Sequence, residues 1–179
     1  MIDSLLDCCK RKKLVSLYCD PENSQTHYTG YIEGINDCEI VISHISKNGF
    51  YDGYILRKTE DIYRIDYSGD YDKRIEDLYK AKGQRHEIPL EKKNEESLFF
   101  FVLRFAKECG YVVSLIFNDD HRSGTIKHYT EDAVCLNALN DNGEQDGVVI
   151  VKTANILVVE IDTDYEQDLR VLHNLKTNQ

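Results

Sequence analysis

The chain has 179 residues and carries 22 Lys+Arg against 32 Asp+Glu, a formal net charge of −10. That length accommodates one domain or two small ones, and the acidic balance argues against avid non-specific binding to a phosphate backbone, which is attracted by clustered Lys and Arg. Six cysteines with no Cys-x-x-Cys spacing read as thiols in a reducing cytosol rather than as a disulfide framework. The start, Met1-Ile-Asp-Ser, lacks the basic and apolar regions of a secretory leader, and the longest apolar run, Leu98 to Leu103, is far too short to span a bilayer. A cytoplasmic protein without membrane association is the expectation.

An internal duplication organises everything else. Thr29 to Tyr71 is written again as Ser123 to Tyr165 without a gap, every shared position 94 residues from its twin, as Gly30 and Gly124 are. The common skeleton is Gly30, Ile32, Asn48-Gly49, Asp52-Gly53, Lys58-Thr59, Ile62 and Asp70-Tyr71, against Gly124, Ile126, Asn142-Gly143, Asp146-Gly147, Lys152-Thr153, Ile156 and Asp164-Tyr165. The domain reading is a first repeat over residues 1–80, a charged linker over 81–97 and a second repeat over 98–179. Both repeats are acidic, with 11 Lys+Arg against 15 Asp+Glu in the first and 7 against 13 in the second.

In chain order, Asp3 or Ser4 caps a short helix whose stripe is Leu5, Leu6 and Cys9, and Lys10-Arg-Lys-Lys13 complements its C-terminal dipole. Leu14 to Cys19 reads as a strand, Asp20-Pro21 as a turn. Gly34 and Asn36-Asp37 break the following run into strands Tyr28 to Ile35 and Glu39 to Ile45. Asn48-Gly49 signals a hairpin into Tyr54 to Arg57, and a tight connection leads to Ile62 to Tyr67. Asp70 caps a helix from Tyr71 to Tyr79 with Ile75, Leu78 and Tyr79 facing inward. Gly83, Pro89 and dense charge mark the linker. The second repeat opens with the apolar helix Leu98 to Cys109. Its strands are Tyr111 to Phe117, Ser123 to Tyr129, Ala133 to Leu139, Gly147 to Val151 and Ile156 to Ile161, and Thr163-Asp164 with Gln167 starts a closing helix through Leu175.

A helix followed by five short antiparallel strands, a bent second strand and a four-residue connection between strands four and five resembles the Sm-like family. The segments that carry the resemblance are Val15-Ser-Leu17, Gly30-Tyr-Ile-Glu-Gly34, Ile40-Val-Ile42 and Tyr54 to Ile62. Their twins are Val113-Ser-Leu115, Gly124-Thr-Ile126 and Val148 to Ile156. The resemblance implies a mainly β fold: two tandem Sm-like five-stranded antiparallel barrels, each with an N-terminal helix and a closing C-terminal helix. It also implies a rim where family members that bind uridine-rich RNA place an Asn and an Arg. Here the Asn slot falls near Glu39 and Ala133, the Arg slot is Arg57 in one repeat and Val151 in the other, and the glycine after it is Lys58 or Lys152.

No Walker, dinucleotide, Gly-x-Ser-x-Gly or His-Glu-x-x-His pattern occurs. The six histidines lack metal-ligand spacing, and the paired carboxylates read as caps and solvated charges. No cofactor, metal, catalytic residue or small-molecule substrate is expected. Tyr54, Arg57, Lys58 and Arg64 are the candidate nucleic-acid contacts, basic residues interleaved with an aromatic. Tyr31, Tyr51 and Tyr63 are the candidate protein-interface residues, since tyrosine suits surfaces apolar on one side and wet on the other. The functional expectation is a non-enzymatic tandem module that acts through protein–protein assembly or self-association, with RNA binding through the first repeat as the alternative.

Overall fold

The structure, a computed structural model, describes residues 1–23, 25–84, 97–118 and 120–177, and among these apolar alternation interrupted by glycine turns gives ten strands. It divides into two units, Met1–Leu98 and Phe99–Gln179. Most of the expected linker lies outside the described residues. In the first repeat come α1 (Ile2–Lys10), β1 (Leu14–Tyr18), β2 (Tyr28–Ile35), β3 (Glu39–Ile45), β4 (Tyr51–Lys58), a 3-10 turn at Thr59–Asp61, β5 (Arg64–Tyr67) and α2 (Asp70–Ala81). The second repeat has α3 (Leu98–Cys109), β6 (Val112–Phe117), β7 (Asp120–Tyr129), β8 (Ala133–Leu139), β9 (Gln145–Lys152), a 3-10 turn at Thr153–Asn155, β10 (Val158–Ile161) and α4 (Asp164–Thr177).

Strand order is β5-β1-β2-β3-β4 in the first unit and β10-β6-β7-β8-β9 in the second, the same topology twice. All pairings within each unit are antiparallel. The five-stranded antiparallel barrels expected are not closed: the strands at opposite ends of each order share no pairing among the described residues, so each unit contributes an open antiparallel sheet. Even the irregularities are duplicated. The register shifts between Ile32 and Gly34 and again between Ile126 and His128, bending the second strand where the sequence breaks its alternation. The shared Gly30 and Gly124 have a steric cause: a Cβ would sit 2.1 Å from the Ser43 carbonyl oxygen in one and 2.2 Å from that of Asn137 in the other. Gly49 and Gly143 both hold φ near +73°, where their turns press against the closing helices at Leu78 and Leu172.

Two local expectations are corrected. No side chain caps α1; its first amides bond to the Met1 carbonyl. Asp70 is not the cap of α2 either, since Gly69 takes that place. The basic run after α1 is paired off against acids, with Arg11 2.7 Å and Lys13 3.8 Å from Asp7 and Lys12 3.6 Å from Glu33.

What fastens each closing helix is a buried polar chain. In the first unit the Ser16 hydroxyl lies 2.9 Å from the Thr29 hydroxyl and donates to Asp72 Oδ1 at 2.9 Å, while Asp72 Oδ2 accepts the Gly69 amide at 3.0 Å. In the second, Ser114 lies 2.7 Å from Ser123 and donates to Glu166 Oε1 at 2.5 Å, and Glu166 Oε2 accepts the Thr163 amide at 3.0 Å. Glu166, not Gln167, therefore completes the helix start; Gln167 donates to the Asp162 carbonyl instead. An apolar cluster recurs at equivalent positions: Leu14, Ile45 and Ile75, with Tyr79, in one unit, and Val112, Leu139 and Leu169 in the other. All six members of the two polar chains are buried, so removing one strands its partner away from water. Ser16→Ala and Ser114→Ala are each expected to lower the unfolding free energy by about 1–3 kcal/mol, measured by urea denaturation, whereas a change below a few tenths would remove the network as an anchor.

Candidate functional site

The four residues expected to form one basic and aromatic patch are divided by the fold. Tyr54 is buried at 3% exposure and offers no stacking face. The Arg57 guanidinium lies 5.1 Å over the Tyr28 ring. Its Nε is buried and has no hydrogen-bond acceptor among the described residues. Lys58 stands 3.9 Å from Glu60 on the surface. Arg64 belongs to a different group, 4.3 Å over the Tyr18 ring and doubly bonded to Asp66 through Nε at 3.0 Å and Nη2 at 2.5 Å. That pairing, followed by the Tyr18 hydrogen bond, holds the Asp66 carboxyl below the ordinary carboxylate range against an opposing desolvation.

The three candidate interface tyrosines also have different settings. Tyr31 and Tyr51 pack on the cluster beneath α2. The Tyr31 hydroxyl donates to Glu76 Oε1 at 3.1 Å, and the Tyr51 amide donates to Gln84 Oε1 at 3.2 Å. Of the three only Tyr63 is exposed, at 37%.

Sequence reasoning weighed histidine against metal-ligand spacing and missed what His27 and His121 do. The fold places them in equivalent cavities, of about 640 Å³ in the first unit and about 480 Å³ in the second. The register explains this: Ser16 faces Thr29 on one side and Asp66 on the other, as Ser114 faces Ser123 and Glu160, so one row across the sheet repeats in both units. His27 meets Tyr71 edge-on with centroids 5.3 Å apart, and His121 meets Tyr165 at 6.1 Å. Each of these pairs keeps the 94-residue offset, a signal present in the sequence. The floors differ little, but the walls do. Tyr18 in the first cavity, stacked on His27 at 5.0 Å, is replaced by Ile116 in the second.

A second contrast lies in the strands that end the two orders. The interior of β4 is buried, with Tyr54 at 3% and Leu56 at 5%, and so is β10, with Val158 at 3% and Ile161 at 0%. Their counterparts are not: β9 exposes Val148 at 54% and Ile150 at 68%, and β5 exposes its end residues Arg64 and Tyr67. Charge-poor and free of proline, β9 runs for eight residues with one hydrogen-bonded neighbour in its unit, β8.

Among the described residues no group of three or more His, Cys, Asp or Glu side chains is arranged to hold a metal ion. All six cysteines are free thiols, and no described helix is long and apolar enough to cross a membrane. No family model matches the chain, and no curated protein or solved structure matches it either.

Burial, reinforced by the neighbouring Glu76 carboxylate, pushes the Tyr31 phenol well above its ordinary value. A group whose pKa is raised by folding stabilises fully below its unfolded pKa, and that contribution is lost as pH rises through the folded one. Stability is therefore expected to fall above about pH 10, and Tyr31→Phe to flatten that decline; thermal unfolding between pH 8 and 11 reads it. Equal slopes in both proteins would discard Tyr31 as the source.

Proposed function

We propose that this chain is a non-enzymatic, cytoplasmic tandem Sm-like module that works through protein–protein assembly, with β9 as its attachment strand. Support for the family comes from the strand order, the bent second strand and the one-turn connection before the fifth strand, each occurring twice. The observation that carries the assembly reading is the inequality of the strands that end the two orders: the interiors of β4 and β10 are buried while β9 and β5 remain exposed. A long apolar edge left in water is a template for strand addition. The two exposed edges are one of each kind, so a second copy supplies the complement of β9, and association is head to tail.

Light scattering across a range of concentrations tests this. Species larger than the 20.8 kDa chain are expected, and Ile150→Lys is expected to return them to single chains by placing a charge on the pairing edge. A strict monomer at high micromolar concentration would remove the self-assembly reading.

A second reading, RNA binding through the first repeat, is favoured by the Nε of Arg57, buried over Tyr28 and without an acceptor among the described residues. Fluorescence anisotropy with uridine-rich and adenine-rich oligomers at low salt is the measurement. Under this reading binding weakens as salt rises and is lost in Arg57→Ala with Lys58→Ala; no binding at low salt would end it.

A further inference from the structure

We propose that the first unit binds a nucleotide, its base in the aromatic cavity and its phosphate in a basic cavity alongside. The basic cavity, of about 310 Å³, is lined by Lys12 and Lys13 from the turn after α1 and by Lys73 from α2. Its two acids are bonded elsewhere: Asp72 to the Ser16 hydroxyl and the Gly69 amide, Glu76 to the Tyr31 hydroxyl and, at 2.8 Å, to Lys80. Arg11, which also lines it, is held by Asp7 at 2.7 Å. The three ammonium groups are held more loosely, with Lys12 3.6 Å from Glu33, Lys13 3.8 Å from Asp7 and Lys73 3.9 Å from Asp70. Those separations exceed hydrogen-bond length, and exposed pairs of this kind yield to a phosphate dianion that accepts true hydrogen bonds. The backbone singles out the same cavity. Lys12 and Ser68 hold φ of +50° and +64°, a region that strains any residue with a side chain. Counted from the equivalent serines Ser16 and Ser114, the place of Lys12 in the second unit belongs to Gly110, at +68°. Glycine adopts that turn without strain, and the first unit keeps a lysine there despite it. Lys13 and Lys73 correspond to Tyr111 and Gln167, so this group of cations belongs to the first unit alone.

The two cavities meet at Tyr67. Its ring lines the aromatic cavity with Tyr71 and His27, while Lys13 of the basic cavity sits 5.1 Å over that ring, and Asp72 lines both. Tyr67 and Tyr71 are 40% and 41% exposed, and rings of this kind are platforms for stacking a base. Gln25 and Asp70 line the same cavity and supply an amide and a carboxylate for the edge of the base. In the second unit Tyr67 is replaced by Ile161, which is buried, so stacking ring and cations are absent together. The site shares no residue with β9 or with the Arg57 reading. The nucleotide is either free or part of an RNA strand, and the test separates the two. The whole chain, isotope-labelled, is titrated with AMP and UMP, with adenosine and uridine, with inorganic phosphate, and with hexamers of adenylate and uridylate. Amide shifts and titration calorimetry are the readouts.

A mononucleotide bound more tightly than its nucleoside or than phosphate, with shifts at Lys12, Lys13, Tyr67 and Tyr71 and none at His121 or Tyr165, is the expected result. Tighter binding of the mononucleotide than of its hexamer assigns the site to a free nucleotide, and equal or tighter binding of the hexamer assigns it to an RNA strand. Lys12→Gly with Lys73→Gln installs the residues of the second unit. That pair is expected to leave the urea midpoint unchanged or raised, to weaken nucleotide binding about tenfold and to leave nucleoside binding as it was. Tyr71→Ala is expected to weaken nucleotide and nucleoside alike. No shifts at either cavity, phosphate bound as tightly as the nucleotide, or an unchanged nucleotide affinity in the lysine variant would overturn the proposal.

Discussion

A hydroxyl on the first strand, a hydroxyl on the second and a carboxylate at the start of the closing helix make one buried chain in each unit, and the remaining features are built on it. Ser16, Thr29 and Asp72 do this in one copy, Ser114, Ser123 and Glu166 in the other. A buried carboxylate is tolerated only when its oxygens are satisfied, and here one oxygen takes the strand hydroxyl while the other takes a helix-start amide. The helix is thereby aimed across the sheet. Leu14, Ile45 and Ile75, or Val112, Leu139 and Leu169, then close beneath it.

Swapping Asp for Glu at that position, and Thr for Ser opposite, leaves the chain of bonds intact. Elsewhere the copies have drifted in ways that change chemistry. Where Tyr79 packs in the first cluster, the second unit has His173, which bonds the Gly143 carbonyl at 2.9 Å. The Arg57 position has become Val151, which exchanges a cation over Tyr28 for a buried aliphatic. Duplication followed by such exchange leaves one frame carrying two different surfaces, and the exposed apolar residues of β9 are the plainest case.

The cavities lined by the buried serines illustrate how equivalent frame positions diverge. Asp66 and Glu160, beside the buried serines, line the cavities together with the His27–Tyr71 and His121–Tyr165 pairs. In the first unit the acid is neutralised by its own arginine. The second unit retains the acid and the rings and carries valine at the position of that arginine.

Read alone, the sequence determined the duplication, the strands Tyr28–Ile35, Glu39–Ile45 and Ala133–Leu139 to the residue, and the hairpin turns at Gly49 and Gly143. These follow from alternation and turn chemistry, which are local. It left open the open edges of the sheets, the division of Arg57 from Arg64, and the burial of Tyr54 beside the exposure of Ile150. Cap identity was also missed, because the residue that bonds a helix start at Asp72 or Glu166 is chosen by a serine 56 or 52 residues away. Only the tertiary structure decided those points, since which side of a strand meets water and which hydroxyl meets which carboxylate depend on register and packing between segments far apart in the chain.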